Sequence, residues 1–251
     1  MVEIGRLKQR FGLVGKNISY SFSKGYFTKK FKKLGLTEYT YENFDLKEVS
    51  EFKNIVSQND IKGLNVTIPY KEAILSYLDD LDGDAKKIGA VNTIKFTKQG
   101  IIGYNTDAYG FKKSLSPLLK EHCKKALVLG TGGASKAIVY VLNELGIAYQ
   151  YVSRNPSKGQ LGYSQINASY FQEFQLIINC SPVGTYPNLE DKPCIPYAHL
   201  NENHILFDLI YNPSETAFLK EGKQKGAAIQ NGLSMLEYQA EKAWEIWNSE
   251  G

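Results

Sequence analysis

Ala126-Leu127-Val128-Leu129-Gly130-Thr131-Gly132-Gly133-Ala134-Ser135-Lys136 is the stretch that decides the fold. An apolar run leads directly into closely spaced glycines, and apolar residues at helical spacing follow as far as Gly146. This order predicts a buried strand, a tight turn and a helix. Glycines in such a turn let the backbone approach a pyrophosphate, which the helix N-terminus attracts. Gly130 and Gly132 match the dinucleotide fingerprint, Ser135 stands where a third glycine is usual, and the stretch predicts a nucleotide-binding Rossmann domain.

The residues after the next predicted strand indicate which nucleotide is bound. An NAD site places an acidic residue there, whereas a 2'-phosphate is bound by arginine with no carboxylate nearby. Here the strand ends in Ser153-Arg154-Asn155, with Lys158 following, and no acidic residue lies between Glu144 and Glu173. The sequence therefore favours NADP. The alternative interpretation is a solvated basic loop.

The remaining segments of this half continue the predicted sheet. Residues 176–182 and 205–211 are apolar runs that end in polar or aromatic residues before proline-containing loops. Ligands of open parallel sheets lie outside the carboxyl ends of the strands, so these ends are expected to face the nicotinamide. Residues 227–229 predict a last strand. Gly232 then precedes a helix whose apolar stripe is expected to pack the C-terminus on the first domain.

The N-terminal half alternates strand and helix patterns. Residues 11–15 predict a buried strand ending in a glycine, and the next helix has Ser21 or Ser23 as its natural N-cap. Residues 90–94 and 101–107 predict a hairpin. The predicted fold class is α/β, with an N-terminal α/β substrate domain, an NADP-binding Rossmann domain and a cleft between them. The expected domain bounds are 1–108 with 233–251, and 109–232.

Within this half, Gly63-Leu64-Asn65-Val66-Thr67-Ile68-Pro69-Tyr70-Lys71 has apolar residues alternating with polar ones. One interpretation is an edge strand with one buried face and one wet face, ended by Pro69. The other is a functional site, because Asn65, Thr67 and Lys71 share one parity. An ammonium would then stand beside an amide and a hydroxyl at the end of the strand.

The composition limits the classes of function. The chain has 251 residues and a formal charge of +4 spread along its length, which indicates neither a nucleic-acid nor a membrane partner. Residues 1–10 contain scattered charges and no apolar core, so no signal peptide is predicted and a cytoplasmic location is expected. The expected partner is a small molecule, bound by a monomer or homodimer.

The cysteines predict neither disulfides nor a metal site. Three cysteines, widely separated, do not form a disulfide framework. Cys180, Cys194, His199 and His204 are ligand types that zinc accepts, but their spacing does not match short zinc-binding patterns. No metal is therefore expected.

Taken together, the motifs resemble the shikimate dehydrogenase family, whose members are NADP-linked enzymes of chorismate and aromatic amino acid biosynthesis. The resemblance covers nearly the whole chain, in order. It rests on Ser21 and Ser23, Asn65-Val66-Thr67-Ile68-Pro69-Tyr70-Lys71, Gly89-Ala90-Val91-Asn92-Thr93, Gly103-Tyr104-Asn105-Thr106-Asp107, Gly130-Thr131-Gly132-Gly133-Ala134, Ser153-Arg154, and Gly232-Leu233-Ser234-Met235-Leu236 through Gln239.

The resemblance implies a role for each matching residue. Lys71 and Asp107 would form the catalytic pair. The substrate carboxylate would be held by Ser21, Ser23 and Tyr211. The ring hydroxyls would be bound by Thr67, Asn92, Asp107 and Gln239, with Asn65 supporting the same wall. The cofactor site would be lined by Gly130, Thr131, Gly132, Gly133, Ala134, Ser153, Arg154, Asn155, Lys158, Ile210 and Gly232.

Three positions depart from the family pattern. Lys24 follows the serine pair where proline is usual, Ser153-Arg154-Asn155 replaces the commoner Asn-Arg-Thr, and Cys180 stands where threonine is usual. None of them touches the expected catalytic pair. Two alternative functions stay open at this point: a quinate/shikimate dehydrogenase with relaxed NAD(P) use, and a non-catalytic nucleotide-sensing protein.

Overall fold

The computed structural model describes residues 8–19, 21–58 and 60–250. The chain divides into two compact units. The first comprises Met1–Thr106 with Ala240–Gly251, and the second comprises Asp107–Gln239. Each unit contains its own six-stranded sheet, which confirms the predicted α/β fold class.

The first unit contains a mixed sheet in the order β2-β1-β3-β5-β6-β4. β1 pairs in parallel with β2 and β3, whereas β3, β5 and β6 pair antiparallel, so the predicted hairpin is confirmed. Short 3-10 turns cover Val49–Glu51 and Ala73–Tyr77. The strands and helices are β1 (Gln9–Gly15), α1 (Phe22–Lys33), β2 (Tyr39–Asp45), α2 (Phe52–Val56), β3 (Ile61–Val66), β4 (Asp80–Leu81), α3 (Gly83–Ile88), β5 (Thr93–Thr97) and β6 (Gly100–Tyr104).

The interpretation of residues 63–71 as an edge strand with a wet face is wrong. β3 lies between β1 and β5, inside the sheet. Asn65 is only 3% exposed, so both faces of the strand are covered there, whereas Ile68 lies beyond the strand and is 69% exposed. The alternation of apolar and polar residues predicts which side chains share a face of the strand. It does not predict that the polar face is buried as well.

The second unit contains an all-parallel sheet in the order β12-β11-β10-β7-β8-β9. The central strands β7, β10 and β11 are almost wholly buried, as expected of parallel strands covered on both faces. This is the predicted Rossmann domain. Its elements are α4 (Thr106–Leu115), β7 (Lys125–Leu129), α5 (Gly133–Glu144), β8 (Ala148–Ser153), β9 (Leu161–Gly162), α6 (Ala168–Glu173), β10 (Leu176–Asn179), β11 (Ile205–Asp208), α7 (Ala217–Gln224), β12 (Ala228–Gln230) and the first part of α8 (Leu233–Asn248). From Ala240 onward, α8 belongs to the first unit.

The C-terminal helix α8 ends in the core of the first unit. Ala240, Ala243 and Trp247 are buried in one cluster with Phe11 and Phe27. The predicted packing of the C-terminus on the first domain is therefore confirmed. The stripe does not extend to the start of the helix, where Leu233 is 38% exposed. Among the residues described, no helix is long and apolar enough to cross a membrane.

Candidate active site

The serine pair lies at the start of α1. Ser21 is the N-cap, and its hydroxyl accepts a hydrogen bond from the Lys24 backbone N–H at 3.3 Å. Ser23, inside the first turn, is buried. Asp45 holds two residues that precede α1. Its carboxylate accepts hydrogen bonds from the backbone N–H groups of Asn17 and Ile18 at 2.8 and 3.3 Å. The hydrogen bond that Ser21 makes is that of a helix N-cap. Ser23 belongs to a different set of hydrogen bonds.

Those contacts begin at Tyr41 on β2. The Tyr41 hydroxyl donates to Asn65 Oδ1 at 2.7 Å and also hydrogen-bonds to the Ser23 side chain. Asn65 Nδ2 donates to Asn92 O at 3.3 Å and to Thr93 Oγ1 at 3.2 Å. Burial raises the pKa of the Tyr41 phenol, which is only 4% exposed. A buried, hydrogen-bonded chain therefore connects three strands with Ser23.

This hydrogen-bonded chain continues to Thr106, the first residue of α4, two residues after the end of β6. Asn92 Oδ1 accepts from the Thr106 backbone N–H at 2.7 Å, and Asn92 Nδ2 donates to Thr106 Oγ1 at 3.0 Å. Thr93 and Thr106 share a hydroxyl hydrogen bond of 3.2 Å. We call the six residues Ser23, Tyr41, Asn65, Asn92, Thr93 and Thr106 the polar wall. Sequence reasoning identified Ser23, Asn65 and Asn92 of this set and missed Tyr41, Thr93 and Thr106.

The missed residues had few signals in the sequence. Tyr41 appeared only as a strand residue, and aromatic residues are common in strands. Thr93 and Thr106 stood inside quoted motifs, next to Asn92 and Asp107, without a role of their own. Only the sheet order β2-β1-β3-β5-β6 brings these strands together, and that order is not a local property of the chain.

Thr67 and Lys71 lie in the turn that follows β3. The Thr67 backbone N–H donates to Val14 O at 2.8 Å, and the Val91 N–H donates to Lys71 O at 2.8 Å. Gly15 makes room for this turn, because a Cβ there would lie 2.5 Å from Thr67 Cγ2. Both Thr67 and Lys71 are half-buried, so their side chains are accessible from outside the unit.

Two other predicted residues, Asp107 and Gln239, belong to the second unit. Asp107 lies in the first turn of α4 and is 7% exposed, and Gln239 is 5% exposed. Gly110 allows α4 and α8 to approach, since a Cβ at Gly110 would lie 2.4 Å from Met235 O. The expected catalytic pair is thus divided between the units, with Lys71 in the first and Asp107 in the second.

The glycine turn between β7 and α5 fits a dinucleotide. Gly130 has a φ of +107°, which favours glycine, and a Cβ at Gly132 would meet no atom within 4 Å. Among the described residues, no side chain caps the N-terminus of α5. The first turn of this helix contains no acidic residue. Such a helix start suits a phosphate group. Thr131 completes the turn, and Gly133 and Ala134 are the first residues of α5.

The end of β8 fits a 2'-phosphate. Ser153 is the last residue of the strand, and its hydroxyl accepts from the Asn155 backbone N–H at 3.3 Å. Arg154, Asn155 and Lys158 follow and are exposed. The guanidinium group of an exposed arginine can bind a nearby phosphate through two parallel hydrogen bonds.

The loop after β11 is packed against the loop before α8. The Gly232 N–H donates to Ile210 O at 3.0 Å, and a Cβ at Gly232 would lie only 2.1 Å from Leu209 O. Ile210 is buried and Tyr211 is half-buried. Two predicted cofactor residues, Ile210 and Gly232, are therefore brought together at the carboxyl end of the sheet, where ligands of such sheets bind.

A Rossmann unit with a nucleotide-binding turn, together with an α/β unit that contains a polar wall, defines a two-domain nicotinamide-dependent dehydrogenase. Residues 13–94 match the family model described as shikimate dehydrogenase substrate binding domain. The chain belongs to the shikimate dehydrogenase family. A protein of Clostridium botulinum named shikimate dehydrogenase (NADP(+)) is 40% identical, over 94% of this chain and 95% of its own. One of the same name from Methanococcus aeolicus is 39% identical, over 94% and 90%.

Solved structures show the same similarity. The crystal structure of shikimate 5-dehydrogenase from Thermus thermophilus in complex with NADP(H) and shikimate has a TM-score of 0.83 and 31% identity, covering 96% of this chain and 93% of its own. A shikimate dehydrogenase in complex with NADP+ has a TM-score of 0.84 and 34% identity, covering 96% and 90%. The predicted family and the predicted cofactor, NADP, are thereby confirmed.

Proposed function

We infer that this chain catalyses the reversible, NADPH-linked reduction of 3-dehydroshikimate to shikimate. The observation that carries this conclusion is similarity along nearly the full length of both chains to proteins named shikimate dehydrogenase (NADP(+)). The cofactor, when bound, supplies the hydride. The chain's own residues bind and orient the substrate and deliver the proton.

Lys71 is the proton donor in this proposal. Hydride addition to a ketone places negative charge on its oxygen, and an ammonium beside that oxygen both stabilises the charge and supplies a proton. Lys71 is anchored through its backbone by Val91 and follows the central strand β3, so its side chain starts from a fixed point. Asp107 accepts a hydrogen bond from a neighbouring ring hydroxyl and orients the Lys71 ammonium.

The other substrate groups are matched by residue type. Hydroxyls of Ser21, Ser23 and Tyr211 donate to the carboxylate. Thr67, Asn92 and Gln239 bind ring hydroxyls. Both ends of the Asn65 amide are hydrogen-bonded within the polar wall, to Tyr41 on one side and to Asn92 and Thr93 on the other. Asn65 therefore acts by holding the wall in shape.

The decisive experiment follows cofactor absorbance with purified protein, offering shikimate or quinate with NADP or NAD in turn. We expect reduction of NADP with shikimate. Failure of the unaltered protein to reduce NADP with shikimate, while it binds NADP, would favour the nucleotide-sensing alternative. Equal rates with quinate or with NAD would favour the relaxed dehydrogenase.

The role of Lys71 is tested by Lys71→Ala. Removal of a general acid should lower kcat by about 10²-fold or more, with a smaller change in KM. Lys62→Ala, which removes an exposed lysine of β3, is the matched control and should leave both constants unchanged. Turnover by Lys71→Ala close to that of the control would exclude Lys71 from the proton transfer.

A further inference from the structure

Asp208, the last residue of β11, is a carboxylate with no exposed surface at all. Its Oδ1 atom accepts hydrogen bonds from Asn179 Nδ2 at 3.0 Å and from the Ile210 backbone N–H at 3.1 Å. Its Oδ2 atom accepts from Thr216 Oγ1 at 2.6 Å. A buried carboxylate is costly even when it is hydrogen-bonded, which raises the question of what this one does.

Asn179, at the end of the neighbouring strand β10, extends the arrangement. Its Oδ1 atom accepts from the Ser181 backbone N–H at 3.0 Å and from Ser181 Oγ at 2.6 Å. Its Nδ2 atom also donates to Val183 O at 3.3 Å. The Asn179 and Asp208 side chains thus hold Ser181 and Ile210, near the start of the loops that follow β10 and β11.

Both loops support the predicted cofactor site. A Cβ at Gly130 would lie 3.2 Å from the Cys180 carbonyl carbon and from Ser181 N, so the glycine turn rests against the loop after β10. The loop after β11 contains Ile210, which accepts from the Gly232 N–H at 3.0 Å. The same buried pair therefore supports three residues expected to touch the cofactor.

We propose that Asp208 is a positioning residue for the NADP site, which holds the loops after β10 and β11 in their binding conformation only while its carboxylate is ionised. The proposal rests on the proposed function for the cofactor and extends it to a residue outside the family motifs quoted above.

The hydrogen-bond directions favour the ionised form. The Ile210 N–H, the Asn179 amide and the Thr216 hydroxyl all donate to the carboxylate. Thr216 Oγ1 also accepts from the Leu219 N–H at 3.3 Å as the N-cap of α7, and it donates its own proton to Asp208. A proton on Oδ2 would require the Thr216 hydroxyl to turn, so that it accepts a hydrogen bond from Asp208 instead of donating one.

The titration of Asp208 lies in an accessible range. Burial raises its pKa to about 6, against the opposing effect of hydrogen bonds from Thr216, Ile210 and Asn179. Among the described residues with a resolved shift, burial and the nearby Asp208 charge both raise the pKa of the Cys180 thiol and of the Tyr197 phenol. Both groups therefore stay neutral where Asp208 titrates. The carboxylate is therefore ionised at pH 7.5 and largely neutral at about pH 5.

The test compares Asp208→Asn with Glu173→Gln, which makes the same chemical change in the same unit. Glu173 is paired with Lys125 at the start of β7, at the amino end of the sheet, and its side chain is 57% exposed. The dissociation constant of NADP itself is measured by calorimetry at about pH 7.5 and about pH 5, and circular dichroism checks folding.

At the higher pH, Asp208→Asn should bind NADP about tenfold more weakly than the unaltered protein, as expected for the loss of a hydrogen bond to a charged group. At the lower pH the gap should close, because the unaltered protein is then neutral at this position too. Titration of the 2'-phosphate is common to all proteins and cancels. Glu173→Gln should match the unaltered protein at both values. Equal affinity of Asp208→Asn and Glu173→Gln at the higher pH, or a gap that does not change with pH, would overturn the proposal.

A second pair of variants covers the case in which Asp208→Asn does not fold. Thr216→Val removes the donor to Oδ2, and Thr216→Ser retains it, so the first should weaken NADP binding and the second should not. Equal binding by both would also overturn the proposal. Shikimate turnover is measured separately: a protein that binds NADP with this pH dependence but lacks turnover contradicts the proposed function alone.

Discussion

At the scale of single residues, two buried titratable groups make stability depend on pH in opposite ways. Burial raises the pKa of Asp208 to about 6 from an ordinary value of 3.8, and burial lowers the pKa of His204, which is 1% exposed. At pH values between 3.8 and about 6, the Asp208 carboxyl group is protonated in the folded protein and ionised in the unfolded chain. Its contribution to the free energy of unfolding therefore falls as pH rises through this window, by at most about 1.4 kcal/mol per pH unit. His204 contributes stability that is lost as pH falls below its ordinary value.

We expect Asp208→Asn to remove one of these two slopes. The stability of the variant relative to the unaltered protein should increase as pH rises from about 4 to about 6, since only the unaltered protein incurs the cost of the buried charge. The His204 effect is shared and cancels in the comparison. Urea unfolding of both proteins across this range measures the difference, and parallel pH profiles would contradict the assignment.

At the scale of elements, the last turns of α8 stabilise the first unit. The Trp247 indole Nε1–H donates to Ile94 O at 2.9 Å, and its ring lies 4.9 Å from Phe11 and 5.1 Å from Phe27, measured between centroids. Gly63 provides the space, because a Cβ there would lie 2.3 Å from the indole. Glycine in the middle of β3 is thus explained by packing of the helix on the strand.

Trp247→Ala should lower the free energy of unfolding by about 3 to 5 kcal/mol, because it leaves a cavity in a packed aromatic cluster. Trp244 lies one helical turn earlier and is only half-buried, so Trp244→Ala should lower the free energy of unfolding by a smaller amount. Urea unfolding followed by far-ultraviolet circular dichroism measures both. A smaller loss for Trp247→Ala than for Trp244→Ala would contradict this packing.

At the scale of the whole molecule, cofactor binding should appear as stability. A ligand that binds only the folded protein at 100 times its dissociation constant adds about 2.7 kcal/mol. We expect NADP to raise the melting temperature more than NAD at equal concentration, because Arg154 and Lys158 follow β8 where a 2'-phosphate would lie. Arg154→Ala should reduce the difference between the two nucleotides. An unchanged difference in that variant would show that Arg154 does not read the phosphate.

The local features of this chain were open to prediction because each depends on neighbours in sequence. The strand, glycine turn and helix at residues 126–146 follow from apolar periodicity and from the backbone freedom of glycine, and the structure has them as β7 and α5. The basic residues after β8 and the serine N-cap of α1 are equally local.

What the sequence by itself determined was therefore the α/β class, the Rossmann unit and the family, and it predicted NADP as the cofactor. Only the tertiary structure decided that β3 is a central strand, that Tyr41 joins Ser23 to Asn65, and that Asp208 is buried between two loops. The physical reason is the same in each case. Burial and hydrogen-bond partners depend on which strands become neighbours in the sheet, and contacts between residues 24 to 29 positions apart leave no local pattern in the chain.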